Sequence, residues 1–269
     1  MTSTAGEGIL EFTRVAGHTA LTRARADSPL TLLSPRRRGS DFSWAVCGTL
    51  GGGLVAGDEI RLDVHVQRGC SAVLGTQAST KIYRSPDGQT CRQILLARVD
   101  TDGILLILPD PVACFAGAIY EQRQRFELAE SASLVVVDWI TSGRRARGER
   151  WEMIGCRLRT DVFVERRRIL RDALRLDSDD LANRMRRCDC LATVIMVGNC
   201  LAAAVEQTLE WIAGQRVTAS QELIFSAGPI PGGLLLRVAG ASTEQVLQFF
   251  RTRLPMLAEL TGHDPWSGK

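Results

Sequence analysis

The chain has 269 residues, 45% of them hydrophobic and 23% charged, a balance that excludes a disordered chain, a collagen and a coiled coil. Its 33 basic and 30 acidic residues leave a net charge of +3, so charge gives no argument for nucleic-acid binding. No apolar run approaches the roughly 18 residues of a membrane span, and the N-terminus does not read as a secretory signal. We therefore expect a cytoplasmic protein that binds neither nucleic acid nor a membrane.

Hydrophobic and polar residues alternate along most of the first 180 positions, which predicts about twelve β-strands and little helix. In the run 58–67 every second residue from Ile60 to Val66 is apolar, and His65 falls on the polar face, where we expect it to meet solvent. Further strands are predicted at 70–76, 91–99, 104–108, 119–128, 133–140, 156–164 and 168–176. Many short strands of this kind indicate a mainly β, packed many-stranded architecture.

The spacing of apolar residues changes after residue 190. The pattern predicts a strand at 191–197, a helix at 199–213 that Gly214 ends, strands at 222–225 and 233–238 around a turn at 228–233, and a helix that Ser242 caps and that runs to Leu257. This C-terminal β-α-β-β-α unit with two helices should pack on the preceding strands. We predict one domain over 1–269, with a β-rich part at 1–180, a connecting loop at 177–189 and an α/β part at 190–258.

The residues offer no convincing nucleophile–base pair of a catalytic site. The glycines Gly51–Gly53 are followed by no Gly-Lys-Ser/Thr and no predicted helix, unlike a phosphate-binding loop. There is no Gly-x-Ser-x-Gly motif and no histidine placed to serve a serine. The eight cysteines lack the spacing of a zinc module, and three histidines are too few for a histidine metal cage.

Three carboxylates fall on apolar strand faces: Asp58, Asp138 and Asp172. A buried carboxylate costs several kcal/mol unless it is paired, hydrogen-bonded or bound to a cation. Each could form a structural ion pair with one of the many arginines, and Asp58 could instead cap a turn. The functional alternative is a polar path or a hard-cation site through the core.

Four segments resemble, in order and spacing, the successive motifs of the UreD (UreH) family of urease accessory proteins. They are Gly51–Asp58 (GGGLVAGD), Thr76–Ser85 (TQASTKIYRS), Leu108–Pro111 (LPDP) and Asp138–Arg144 with the following Gly148-Glu149. The resemblance extends from about Thr13 to Trp266. The LPDPVACF form of the third motif and the S-G-R-x-x-R-G-E form of the fourth indicate a divergent or eukaryotic-type branch. The apolar segment 108–115 is either an exposed docking patch or core.

This resemblance implies a non-enzymatic urease maturation factor, mostly β with two helices, that binds the urease apoprotein and UreF, and UreG through UreF. It implies a transient Ni²⁺ cargo, no tightly bound cofactor and no fixed high-affinity metal site. The nickel path would include Asp58, Thr80, Asp138 and Asp172, with Glu165 an alternative to Asp172. The supporting motif residues would be Gly52, Gly57, Gln77, Lys81, Tyr83, Arg84, Gly143, Arg144 and Glu149. A UreD-derived scaffold that binds partners but passes no nickel is the alternative function.

Overall fold

The computed structural model describes residues 5–35, 41–177, 179–216, 218 and 221–267. The strands are β1 (Ala5–Val15), β2 (His18–Ala26), β3 (Leu30–Leu33), β4 (Ser43–Thr49), β5 (Glu59–Val66), β6 (Ser71–Thr76), β7 (Thr80–Ile82), β8 (Cys91–Val99), β9 (Ile104–Leu108), β10 (Val112–Cys114), β11 (Ile119–Leu128), β12 (Ser133–Thr141), β13 (Gly155–Val164), β14 (Arg167–Leu176), β15 (Cys190–Val197), β16 (Leu223–Ile230) and β17 (Gly233–Gly240). The α-helices are α1 (Leu181–Arg184), α2 (Ala202–Ala213), α3 (Thr243–Arg253) and α4 (Met256–Thr261). None of these helices is long and apolar enough to cross a membrane.

The strands form two sheets. Sheet A has seven strands in the order β14-β13-β11-β8-β5-β1-β2, and sheet B follows the order β16-β17-β15-β12-β9-β6-β4-β3, with the short strands β7 and β10 beside it. The central neighbours in each sheet are parallel, whereas the outer neighbours are antiparallel. Parallel neighbours need a crossover connection. From β4 to β13 the chain makes that crossover by running alternately through sheet B and sheet A.

This winding gives the two ends of the sheets different connections. The connections from sheet A to sheet B are short: 67–70, 100–103 and 129–132. The connections from sheet B back to sheet A are longer: 50–58 after β4, 77–90 after β6, 109–118 after β9 and 142–154 after β12. We call the end of the sheets that carries the longer connections the motif end, and the other the turn end.

Two hydrophobic layers hold the fold together. The first lies between the sheets and contains side chains from both, among them Phe12, Val64, Phe126 and Val136. The second packs sheet B against the C-terminal helices and includes Trp139, Val194 and Phe250. Because sheet B is covered on both faces, β12 and β15 are nearly continuous apolar runs. Sheet A has one outer face that is rich in charged residues, so strands such as β5 and β11 alternate clearly between buried and exposed side chains.

The fold class predicted from the pattern is confirmed. The described residues before position 177 form fourteen strands, somewhat more than the twelve expected. The β-α-β-β-α order of the C-terminal part is present as β15, α2, β16, β17 and α3.

Three local predictions were wrong. The last helix stops at Arg253, because Pro255 cannot continue it, and α4 starts a new helix after the break. Residues 228–230 belong to β16 and leave a tighter turn at Pro231-Gly232. The predicted loop 177–189 contains the single helical turn α1. His65 lies on the polar face as expected, with its side chain 35% exposed, and its Nε2 lies 2.9 Å from the carboxylate of Asp100 at the turn end.

The segment 108–115 is core rather than an exposed docking patch. Leu108, Val112, Cys114 and Phe115 are all buried. The carbonyl of Pro109 accepts hydrogen bonds from the indole nitrogens of two tryptophans of the second hydrophobic layer, at 2.9 and 3.1 Å. These contacts fix the connection after β9 against the C-terminal helices.

Candidate functional site

All four sequence motifs lie at the motif end, because each follows the carboxyl end of one of four adjacent strands of sheet B. The first two connections pair through their backbones: Leu54 N–H donates to the Lys81 carbonyl at 2.8 Å, and Tyr83 N–H donates to the Leu54 carbonyl at 2.9 Å. A Cβ on Gly53 would lie 2.5 Å from that Lys81 oxygen. Glycine is therefore required there by close backbone approach.

The later connections join the same cluster. Strand β7 pairs with β10, and β10 pairs with the end of β12, so the last three motifs form one small parallel layer. The ring of Tyr83 meets the ring of Phe115 edge-on, with centroids 5.3 Å apart. Arg84 lies over Gly117 of the third connection, whose positive φ (+74°) and neighbouring side chain leave little room for a Cβ. Four segments distant in sequence thus form one surface.

Arg144 and Glu149 close the fourth connection on itself. The Arg144 guanidinium stacks 4.2 Å from the centroid of the Phe115 ring and pairs with Glu149, to which its Nε donates at 3.0 Å. Glu149 also accepts a hydrogen bond from Ala116 N–H at 3.2 Å. The hydrogen bond from Arg144 lowers the pKa of Glu149, which keeps that carboxylate charged. Gly143 begins the turn at φ +106°, a conformation that favours glycine.

Asp138 is a half-buried carboxylate that lies between the two sheets. It lies on β12 of sheet B, and its Oδ2 accepts hydrogen bonds from Gln122 Nε2 at 2.7 Å and Gln124 Nε2 at 3.4 Å, both on β11 of sheet A. The hydroxyl of Tyr120 is 2.8 Å from Gln122 Oε1. Burial raises the pKa of Asp138 from 3.8 to about 6; the Gln122 hydrogen bond opposes this rise and the charge of Asp172 adds to it.

Two facing rows of polar side chains run across the strands from this point to one flank of the fold. On sheet B, residues in register are Asp138, Thr193, Arg237 and Ser226, on β12, β15, β17 and β16. On sheet A, residues in register are Gln124, Thr160 and Asp172, on β11, β13 and β14. Side chains directly opposite one another on paired strands point to the same face. The rows therefore line the gap between the sheets.

A pocket of about 240 Å³ opens where these rows reach the flank between β14 and β16. We call it the flank pocket. Its polar lining consists of Asp138, Thr160, Asp172, Thr193, Ser226 and Arg237. Arg237 forms an ion pair with Asp172 across the sheets and donates a hydrogen bond to the Thr193 hydroxyl at 2.9 Å.

Two further pockets of about 120 Å³ each lie on the motif-end side of Asp138, which lines neither of them. The inner one has a mostly apolar lining, and its polar groups come from Gln122 and Gln124, the two amides that hold Asp138, and from Thr76 and Gln93. The outer one shares Thr76 and Gln93 and is lined in addition by Gly52, Gln77, Ser79, Thr80 and Lys81. Gln124 Oε1 is buried and has no protein hydrogen-bond partner. The flank pocket shares no lining residue with the inner one, and the hydrogen bonds from Gln122 and Gln124 to Asp138 relate the two; we call the polar groups of the three pockets, together with these amides, the interior row.

Of the four residues predicted for a path, three lie along the interior row. Asp138 and Asp172 share the flank pocket, and Thr80 lines the outer pocket at the motif end. Asp58 lines none of these three pockets. It is 4% exposed, and its Oδ2 accepts from Val55 N–H at 2.9 Å within the turn that Gly57 (φ +83°) allows. Glu165 lies in the β13–β14 turn at the opposite end, so only Asp172 adjoins Asp138.

Sequence reasoning missed the other members of the interior row. Tyr120, Gln122 and Gln124 stand on β11 at the same parity as the buried Phe126 and Leu128. That alternation was visible in the sequence, and it would have marked two buried amides. Thr160 and Thr193 carry no comparable signal, because single hydroxyl residues are ordinary in strands. Arg237 did carry one, because it is the one charged residue in the apolar run of β17.

The donor atoms of the flank pocket suit loose binding of a cation. Among the described residues, no group of three or more histidine, cysteine or acidic side chains comes close enough to hold a metal ion. The pocket offers two carboxylates and the hydroxyls of Thr160, Thr193 and Ser226. Oxygen ligands of this kind bind late first-row divalent ions less tightly than imidazole or thiolate clusters do.

Comparison with known proteins gives a consistent family. The chain matches the family described as "UreD urease accessory protein" over residues 4–267. It is 47% identical to "Urease accessory protein UreD" of Sorangium cellulosum (strain So ce56) over 268 residues, which cover 98% of this chain and 84% of that protein. It is 34% identical to "Urease accessory protein D" of Oryza sativa subsp. indica over 292 residues, which cover 97% of this chain and 95% of that protein. Both bacterial and plant proteins thus match nearly the whole chain.

Proposed function

Because the chain belongs to the UreD family of urease accessory proteins, we propose that it serves urease maturation as a nickel conduit and docking scaffold. The cargo is Ni²⁺, which is held transiently and passes between a UreF–UreG accessory complex and the urease apoprotein. UreG acts through UreF in this scheme. The protein itself catalyses no reaction.

The interior row carries this proposal. It supplies oxygen and amide groups from the flank pocket at Asp172, past Asp138, to Thr80 at the motif end. The remainder of the gap between the sheets is filled by apolar side chains. Polar side chains buried within an apolar layer lower the stability of a fold, and a protein that acts only as a scaffold would gain nothing from them. The passage of a hydrated cation explains why these polar groups are present.

Weak, successive binding is what transit requires. Asp138 is held by two neutral amides rather than by an arginine, so its charge is available to a cation. Its pKa of about 6 lets it lose its proton near neutral pH at little cost. A cation could then exchange between Asp172, Asp138 and the hydroxyls without meeting a site that traps it.

The test is co-expression of this chain with its urease, UreF and UreG, followed by measurement of nickel content and partner binding in the same preparations. Replacing Asp138 by leucine should leave pull-down of urease and UreF intact while lowering the nickel content of urease. Asp63→Leu is the matched control, because Asp63 is a carboxylate on the outer face of sheet A. Parallel loss of binding and nickel, or loss of neither, would contradict the conduit.

One observation favours the alternative function of a scaffold that passes no nickel. Asp172 is paired with Arg237, and Asp58 serves a turn, so two of the three predicted acids have structural partners. In a scaffold, nickel content would follow partner binding in every variant. The same co-expression experiment therefore separates the two functions.

A further inference from the structure

Arg237 is the one basic residue that lines the flank pocket among the described residues. It stands on β17, directly opposite Thr193 of β15, and its guanidinium reaches across the gap to Asp172 on β14. Its contacts therefore divide between the two sheets: Thr193 on sheet B and Asp172 on sheet A. The guanidinium spans the pocket between the flank and Asp138.

We propose that Arg237 is the gate of the flank pocket, a resident cation that occupies the Asp172 carboxylate and must leave it before a divalent ion binds there. This inference rests on the proposed nickel route, and it adds the residue that keeps nickel binding in the flank pocket weak. An arginine suits this role because it stays charged at all relevant pH values and therefore always competes with the metal.

The exposure of the pair allows the gate to open. The Arg237 side chain is 41% exposed and that of Asp172 is 16% exposed. An ion pair in contact with water is weak, because solvent replaces much of what is lost when it separates. A fully buried pair would act instead as a permanent cross-link. Because the pocket is open at the flank, the long arginine side chain can also move outward into solvent.

Removal of the guanidinium should convert a gated pocket into a metal site. Without it, Asp172 and Asp138 present two unneutralised carboxylates beside the hydroxyls of Thr160 and Thr193. The positive charge that repels an incoming Ni²⁺ is also lost. We expect the pocket of the Arg237→Gln variant to bind Ni²⁺ about tenfold more tightly than that of the wild type.

The experiment is calorimetric titration of Ni²⁺ alone into the purified full chain. Arg237→Lys should behave as the wild type, because the positive charge is retained. Arg237→Gln combined with Asp172→Asn should lose the gain in affinity. Arg175→Gln is the matched control: it breaks an arginine–aspartate pair, with Asp177, in which the arginine is 67% exposed and lines no part of the pocket.

A folded Arg237→Gln protein whose Ni²⁺ affinity equals or falls below that of the wild type would overturn the gate. If Arg237→Gln does not fold, Arg237→Met decides, because it also removes the guanidinium and leaves every carboxylate and hydroxyl of the pocket in place; a gain in affinity supports the gate and no gain overturns it. Failure of the proposed function is seen separately, as normal nickel content of urease matured with Asp138→Leu.

Discussion

Gln122 on β11 donates a hydrogen bond of 2.7 Å to Asp138 on β12, and this bond joins the two sheets through an otherwise largely apolar layer. An amide can hold a carboxylate in place but cannot neutralise its charge. Asp138 therefore remains an anionic group that a proton or a metal ion can occupy. The Asp172 carboxylate, by contrast, already has a cation beside it in Arg237.

The first prediction concerns the pH dependence of stability. Folding raises the pKa of Asp138 from 3.8 to about 6, so between these pH values the folded protein binds more protons than the unfolded chain. Stability conferred by this group is therefore present at low pH and is lost as the pH rises towards 6. Asp138→Asn removes this loss. We expect the free energy of unfolding of the variant, relative to wild type, to rise by about 2–3 kcal/mol from pH ~4 to pH ~7.

Denaturant unfolding at a series of pH values checks this expectation. A difference between Asp138→Asn and wild type that stays constant with pH would mean that the carboxylate is not held in a desolvated place.

The second prediction concerns the glycine of the first motif. A Cβ at Gly53 would meet the Lys81 carbonyl at 2.5 Å and the Tyr83 ring at 2.7 Å. Gly53→Ala should therefore force the first two connections apart and cost about 1–3 kcal/mol of stability. Gly228→Ala is a suitable control, since no atom lies within 4 Å of the added methyl group and its φ is not positive. Equal midpoints in denaturant for the two variants would contradict the close approach.

The sequence predicts the elements of this fold better than their arrangement. Period-two alternation shows strands such as β5 and β11, and the change in period shows α2 and α3. It does not show that the chain winds between two sheets, because a strand's pattern records only which face is buried and not its neighbours. The break after Arg253 was missed although Pro255 marks it, because the apolar spacing continues across it.

For the candidate site, too, the sequence predicts individual residues better than their arrangement. Asp138 and Asp172 were found from the sequence, because a charged residue on an apolar face is unusual wherever the strand lies. The ion pair of Asp172 with Arg237 joins residues 65 positions apart, on strands of different sheets. The residue pattern within each strand does not show that these two side chains lie close together in space. For Asp58 the sequence left a turn and a path open, and the hydrogen bond from Val55 supports the turn.

The third prediction concerns the fourth motif. Glu149→Ala would leave the Ala116 N–H without its acceptor and Arg144 without its ion pair. A partly buried donor left unpaired costs about 1–3 kcal/mol. Glu127→Ala is the control, because it breaks an exposed pair with Arg125 and should cost less than about 1 kcal/mol. Comparable unfolding midpoints for both variants would show that the Arg144–Glu149 contact does not hold the turn.

The last prediction separates the two roles of Asp58. Asp58→Asn retains a side-chain oxygen that can accept from Val55 N–H, whereas Asp58→Ala has none. Stability should therefore fall by about 1–2 kcal/mol for the alanine variant and stay close to wild type for the asparagine variant. If the Asp58 charge attracts nickel at the motif end, the asparagine variant should still lower the nickel content of co-expressed urease. Normal nickel content with Asp58→Asn would leave Asp58 as a turn residue only, and the path would then consist of Asp172, Asp138 and Thr80.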